Sequence, residues 1–81
     1  MTELLDGAAD VRAERDRPVA VRTATGWREV EEVVTVWRVE TGWWRDPVCR
    51  DYVRCLLRGG DCVELYLDHL AGGWHWSRRY D

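Results

Sequence analysis

From Pro18 onward the chain consists of short runs in which apolar and polar residues alternate, and glycine-containing turns separate most of these runs. The alternation is clearest over residues 62–68, where Val63, Leu65 and Leu67 share one parity. A period of two is typical of a strand that buries one face. The pattern predicts an all-β fold, namely a five-stranded antiparallel meander with strands at about 18–22, 27–39, 50–57, 62–68 and 74–80.

The second of these runs, residues 27–39, contains apolar residues of both parities. The inward register must therefore change near Val33 and Val34, as a β-bulge or a sharp coil of the strand would require. Strongly bent strands are typical of small barrels. We therefore expect a strongly coiled, SH3-like barrel or half-barrel.

Two other runs have faces that the alternation defines. Val53, Cys55 and Leu57 share one parity and are expected on one side of their strand. Hairpin turns are expected at 24–26 and 58–61, because each contains glycine between two strand-like runs. In the last run, the set expected on one face is Trp74, Trp76, Arg78 and Tyr80.

Residues 1–17 differ from the remainder, because they contain many charges, no aromatic residue and little β-branching, and Pro18 follows them. We interpret this segment as a flexible N-terminal arm attached to a single small β domain, residues 18–81. Its apolar residues could form one face of a short helix if a partner held it, since so short a helix is marginal in water. These residues are Leu4, Leu5, Ala8, Ala9 and Val11.

All twelve basic residues are arginine, which is an unusual composition, and the net charge is −3. A GC-rich coding sequence explains the lack of lysine as well as any function does. Arginine nevertheless stacks on aromatic rings and pairs with carboxylates or phosphates through two hydrogen bonds. The acidic total argues against broad nonspecific DNA binding, although a local basic face is compatible with it.

The three cysteines, Cys49, Cys55 and Cys62, follow no secretory signal and form no CxxC motif. This usage predicts a reduced, cytoplasmic protein. Their spacing suits strands better than a zinc site, so we expect no metal and no cofactor. No apolar run approaches the roughly 20 residues of a membrane span, and no membrane partner is expected.

Three of the six tryptophans lie within the nine residues 37–45. Such a cluster either anchors a core or forms a surface that binds a partner. Consecutive side chains on a strand point to opposite faces, so Trp43 and Trp44 cannot both point inward. Packing of both rings, one of them under the N-terminal arm, is the alternative to an exposed binding residue.

Five short motifs follow one another along the chain: WRVETGWW at 37–44, RDY at 50–52, LYLD at 65–68, GW at 73–74 and RYD at 79–81. Over residues 36–81 this ordered set resembles an uncharacterised family of small bacterial domains. A similar module stands at the C-terminal end of inactive Y-family polymerase homologues in bacterial mutagenesis cassettes. The resemblance implies a non-catalytic module that works near translesion DNA synthesis, with DNA repair polymerase components among its partners.

The function predicted is therefore a protein-interaction accessory module, linked to bacterial DNA repair or translesion mutagenesis. The residues expected to bind the partner are Trp43, Trp44, Arg45, Tyr52, Tyr66 and Arg38. The alternative is a module that binds single-stranded nucleic acid with an aromatic and arginine surface. In that alternative Tyr52, Tyr66 and one exposed tryptophan stack on bases, and the flanking arginines are Arg38, Arg45, Arg54 and Arg78.

Catalysis is not expected, because the sequence has no nucleophile elbow, no phosphate-binding glycine loop and no histidine pair with metal-ligand spacing. Asp51, Asp68, His69 and His75 are the residues that invite comparison with acid-base groups. We expect Asp68 to cap the turn that ends at Gly72, and Asp51 to pair with an arginine such as Arg38.

Overall fold

The fold is a single curled antiparallel sheet, seen in a computed structural model that describes residues 2–4, 7–42 and 47–80. The strands are β1 (Thr2–Leu4), β2 (Ala8–Ala9), β3 (Val11–Glu14), β4 (Arg17–Thr23), β5 (Gly26–Thr41), β6 (Val48–Leu57), β7 (Cys62–Asp68) and β8 (Trp74–Tyr80). Seven of them form an antiparallel meander in the order β1-β8-β7-β6-β5-β4-β3, curled into a half-barrel, and β2 pairs with β8. No helix capable of spanning a membrane occurs within these described ranges.

The prediction of an all-β half-barrel is confirmed, whereas the prediction of five strands is wrong. The five predicted runs correspond to β4 through β8, with hairpin turns at Ala24-Thr25 and Gly59-Gly60. The additional strands come from the N-terminal segment. They form because the two edges of a curled sheet expose backbone groups that another strand can pair.

The described part of the N-terminal segment forms strands that pair with both edges of the meander, and not the short helix considered from the sequence. The N–H of Trp76 in β8 donates to the carbonyl oxygen of Gly7 at 3.0 Å. Only Asp10 separates β2 from β3, and its carbonyl oxygen accepts from the N–H of Arg22 in β4 at 2.9 Å. Leu5, one of the residues considered for the helix, lies outside the described residues.

Bulges bend the long strand β5 and the last strand β8. The register between β5 and β6 shifts between Val30 and Glu32 and again between Val33 and Thr35, which confirms the predicted change of face. A third shift, in β8, leaves Trp76 opposite Leu65 but Arg78 opposite Glu64. The prediction that Arg78 and Tyr80 share the face of Trp74 and Trp76 is therefore wrong, because Ser77 is the extra residue of a bulge.

The core lies on the concave side of the sheet. Its buried members are Val21, Val53, Cys55, Leu57, Val63 and Leu65. Partly buried side chains pack around them, including Ala9 and Val11 from the N-terminal segment and Trp74 and Trp76 from β8. We call the opposite side of β5, β6, β7 and β8 the outer face; it carries the candidate site.

Candidate functional site

Four aromatic side chains form a row across the outer face. Trp37 in β5 pairs with Tyr52 in β6, Tyr52 pairs with Tyr66 in β7, and Tyr66 pairs with His75 in β8. Each of these residues adjoins a core-facing residue of its own strand, so alternation places all four side chains on the outer face. We call this set the aromatic row.

The rings of the aromatic row face one another. Trp37 and Tyr52 are stacked with centroids 5.3 Å apart and an interplanar angle of 7°, and Tyr66 stacks on His75 at 5.0 Å and 17°. Tyr52 and Tyr66 are tilted by 39° at 5.2 Å. Because Tyr52 and Tyr66 have a neighbouring ring on both sides, mainly the edges of these two rings remain for contact with another molecule.

Two arginines lie against rings on this face. The guanidinium carbon of Arg50 lies 4.5 Å from the centroid of the Tyr66 ring. That of Arg54 lies 4.6 Å from the centroid of Tyr80 and 5.7 Å from that of Trp37. All three distances are within the range of cation–π attraction, which holds the guanidinium groups against the rings.

Glu64 lies beneath this face, with 4% of its surface exposed. Its carboxylate accepts hydrogen bonds from the hydroxyls of Ser77 at 2.8 Å and Tyr80 at 2.7 Å. Arg54 at 3.7 Å and Arg78 at 3.8 Å complete its ion pairs. Burial and the bond to Glu64 raise the pKa of Tyr80, so the phenol stays protonated. The bulge at Ser77 makes this convergence possible, because it brings both Ser77 and Arg78 to Glu64.

The charges of the outer face are layered. The side chains of Arg50, Arg54 and Arg78 are 34%, 37% and 48% exposed, whereas those of Glu64 and Asp68 are 5% and 17% exposed. These two carboxylates therefore lie below the guanidinium groups, and the surface formed by Arg50, Arg54 and Arg78 is positive. This arrangement occurs on a chain whose net charge is −3.

Asp68 closes the turn between β7 and β8, as predicted. Its Oδ1 accepts hydrogen bonds from the N–H groups of Leu70 at 2.9 Å and Ala71 at 3.0 Å. These backbone hydrogen bonds lower the pKa of the carboxyl below its ordinary value. Asp68 is thus a structural residue of the turn.

A shallow groove of about 360 Å³ lies beside the aromatic row. Its apolar wall is formed by Trp37, Val39 and Tyr52, and its polar wall includes Arg54 and Arg78. The groove therefore presents an apolar surface and two guanidinium groups within one opening.

The structure brings together only part of the residue set predicted to bind a partner. Tyr52 and Tyr66 lie in the aromatic row, while Trp43, Trp44 and Arg45 lie outside the described residues, so their role stays a prediction.

Arg38 does not join the row, because it adjoins Trp37 on β5 and so points to the other face. There its Nε and Nη2 donate to the carboxylate of Asp51 at 2.7 and 3.1 Å, which confirms the predicted pair.

Sequence reasoning missed Trp37, His75 and Arg50 as members of the site. Strand register was the signal that could have found Arg50 and His75. Counting outward from the glycine turns places Tyr52 opposite Tyr66, and Tyr66 opposite His75. Arg50 then follows from alternation, because it lies two positions from Tyr52 on the same face.

Asp51 also contacts His69, whose Nε2 lies 2.7 Å from its Oδ2. Hydrogen bonds from Arg38 and His69 hold the pKa of the Asp51 carboxyl well below its usual range. Burial and the nearby Glu40 carboxylate raise the pKa of the Cys49 thiol, whose Sγ lies 3.7 Å from Glu40. The thiol is therefore protonated at neutral pH, and this cluster has the chemistry of an ion-pair network.

Comparisons with protein-family models, with curated proteins and with solved structures find no match to this chain.

Proposed function

We propose that this chain is a non-catalytic protein-interaction module that binds its partner with the outer face. The observation that carries the proposal is the layering of charge beside the aromatic row. Partly exposed guanidinium groups stand above carboxylates that are more deeply buried, so the partner meets arginine and aromatic side chains together. Tyrosine, tryptophan and arginine are the residues most enriched where protein interfaces gain their affinity.

The groove defines the chemistry of the partner segment. Within the proposal, one apolar side chain of the partner packs on the apolar wall, and Arg54 and Arg78 pair with an acidic residue next to it. A carboxylate that approaches from solvent meets positive charge first, because Glu64 is only 5% exposed at its side chain. The proposed partner is therefore a protein segment that combines an apolar anchor with an acidic residue.

Single-stranded nucleic acid is the second candidate, because phosphates would also pair with these arginines. Base stacking requires ring faces that are open to solvent. In the aromatic row the faces of Trp37, Tyr52, Tyr66 and His75 are directed at one another, and Arg50 covers Tyr66. This geometry favours a protein partner over a stacked strand.

The resemblance to the C-terminal module of inactive Y-family polymerase homologues supports a role in bacterial DNA repair or translesion mutagenesis. Within the proposal, the acidic partner segment belongs to a protein of that machinery. The module itself contributes adhesion and no chemical step.

The test compares Arg54→Gln with Arg58→Gln in affinity capture from the native host, quantified by mass spectrometry. Arg58 is a matched control, because its side chain and that of its ion partner Glu29 are both 72% exposed. We expect a protein that wild type and Arg58→Gln retain equally and that Arg54→Gln binds about tenfold more weakly, since hydrogen bonds between charged groups contribute about 1.5–3 kcal/mol.

Arg54 also pairs with Glu64, so Arg54→Gln changes the fold's own ion pairs as well as the binding surface. The variant Arg50→Gln therefore provides a second measurement of partner capture. Its neighbour Asp68 keeps two backbone hydrogen bonds, so the fold is expected to persist. Capture that is equal in all four proteins would contradict the proposal. Quenching of tryptophan fluorescence by oligothymidylate, with an affinity that falls steeply with salt, would favour the nucleic-acid alternative instead.

A further inference from the structure

A second cavity, of about 490 Å³, opens where the β4–β5 turn approaches Asp61 and the C-terminal part of β8. Its floor is apolar and includes Leu57, Val63 and Trp76, which belong to the core or pack against it. Small-molecule sites commonly measure roughly 300–1,000 Å³ and combine apolar walls with a few polar groups. The cavity has both features.

Three guanidinium groups stand around this cavity, those of Arg22, Arg28 and Arg79. Asp61 is the single acidic residue among the described residues that line it. The lining therefore has a formal excess of two positive charges, although the whole chain has a net charge of −3. Such a local excess attracts anions.

Arg28 and Asp61 make one side of the cavity rigid. The Nε of Arg28 donates to the carbonyl oxygen of Arg58 at 2.9 Å, and its Nη1 pairs with Asp61. The guanidinium group of Arg28, followed by the charge of Arg79, keeps the pKa of the Asp61 carboxyl below its ordinary value. A side that is already ordered loses little conformational entropy when a ligand binds.

Arg22 provides the adjustable side of the cavity. The side chain of Arg22 is 63% exposed, and it lies 3.9 Å from Asp10, which is 70% exposed. Ion pairs between such exposed groups contribute little, so a ligand anion can replace Asp10 at small cost. Arg79 is 49% exposed and lies 3.9 Å from Asp61, near enough to contribute to the same positive field.

We propose that this cavity binds a small aromatic anion. The ring of the ligand packs on Trp76 and the apolar floor, and its carboxylate or phosphate pairs with Arg22 and Arg79. None of the described residues that line the cavity also lines the groove beside the aromatic row. The proposal is therefore independent of the protein-binding function and can fail or stand separately from it.

The test titrates the full chain with two pairs of probes, followed by the amide resonances in nuclear magnetic resonance spectra. Naphthylacetate is paired with naphthylacetamide, and naphthyl phosphate with naphthol, so that each anion has a neutral analogue. We expect at least one anion to bind saturably, to shift the amides of Thr25, Asp61 and Arg79, and to bind at least about tenfold more tightly than its analogue. Binding of only one anion identifies the head group as carboxylate or phosphate.

Arg22→Gln and Arg17→Gln provide the matched variants, because both residues are exposed and lie in β4 but at opposite ends. We expect Arg22→Gln to weaken binding of the anion about tenfold and Arg17→Gln to leave it unchanged. The proposal is overturned if neither anion saturates at about 10 mM, a concentration that detects even millimolar affinity. Equal affinity for the neutral analogues, shifts confined to other amides, or equal weakening by both variants would also overturn it.

Discussion

Two carboxylates, Glu64 and Asp51, show how an acidic chain comes to present arginine on both sides of one sheet. Glu64 lies below Arg54 on the outer face, with side-chain exposures of 5% and 37%. Asp51 lies below Arg38 on the other face, with exposures of 18% and 54%. In each pair the acid is buried more deeply than the base, because a short carboxylate stays near the backbone while a long arginine extends over it.

Asp51→Asn should reveal how much the Arg38 and His69 hydrogen bonds stabilise the fold. Because the folded pKa is lowered, the stabilisation is complete above the ordinary aspartate pKa of about 3.9 and disappears as the pH falls toward the folded value. We expect a loss of about 1–2 kcal/mol at pH 7, since hydrogen bonds to a charged group are removed. Urea unfolding measured from pH 7 down to about pH 2 checks it.

The control for this variant is Asp10→Asn, at a side chain that is 70% exposed, where the change in stability should stay within about 0.5 kcal/mol. The difference in unfolding free energy between wild type and Asp51→Asn should become smaller as the pH is lowered. A difference that stays constant down to the lowest pH would show that the charge of Asp51 contributes nothing.

The β6–β7 hairpin offers a test of how a turn positions Arg28. Gly59 and Gly60 have φ angles of +104° and +101°, so alanine at either position is strained. A Cβ at Gly59 would also lie 2.5 Å from Nη2 of Arg28, whereas one at Gly60 meets nothing within 4 Å. We expect both alanine variants to lose about 1–3 kcal/mol of stability, since each non-glycine residue in such a region costs about that much.

Only Gly59→Ala should disturb the pair between Arg28 and Asp61, because only its new methyl group contacts the guanidinium. The side-chain Nε–H resonance of Arg28 should therefore move in Gly59→Ala and stay in place in Gly60→Ala. Equal shifts in the two variants would mean that the turn does not hold Arg28.

The same hairpin explains which parts of the site could be predicted from the sequence. Tyr52 and Tyr66 each lie seven residues from Gly59, so the turn alone sets them opposite each other. The position of Trp37 cannot be counted from a turn in the same way, because two register shifts in β5 lie between it and the β4–β5 turn. The five strands β4 to β8 were predictable for a related reason: alternation and glycine turns are local signals.

Strands β1 and β2 were not predictable, because their partner β8 lies far along the chain, whereas β3 pairs with the adjacent β4 across the two-residue turn Arg15-Asp16. Gly7 is bonded to Trp76, and Ala9 and Val11 pack on a core that other strands build. Within residues 2–14, alternation of apolar and polar residues is limited to the four residues 11–14, the shortest length that indicates a strand. The segment becomes extended because the curled sheet offers two edges at once, a property of the assembled molecule.

This arrangement predicts that the two edges of the half-barrel open together when the N-terminal segment detaches. The N–H of Arg22 is bonded to Asp10 on one edge, and the N–H of Trp76 to Gly7 on the other. If residues 7–14 leave as one unit, both amides lose protection with the same free energy of opening. Native-state hydrogen exchange measures that free energy for each amide.

Val11→Asp should lower the opening free energies of both amides, because Val11 is partly buried against the core, and a carboxylate there loses that packing and part of its hydration. We expect a loss of about 2–4 kcal/mol in each amide, or the whole opening free energy if it is smaller. Val34→Asp is the control. Val34 is 51% exposed, so this substitution should change the opening free energy of either amide by no more than about 0.5 kcal/mol. Unequal losses at Arg22 and Trp76 would show instead that each edge is protected by its own part of the sheet.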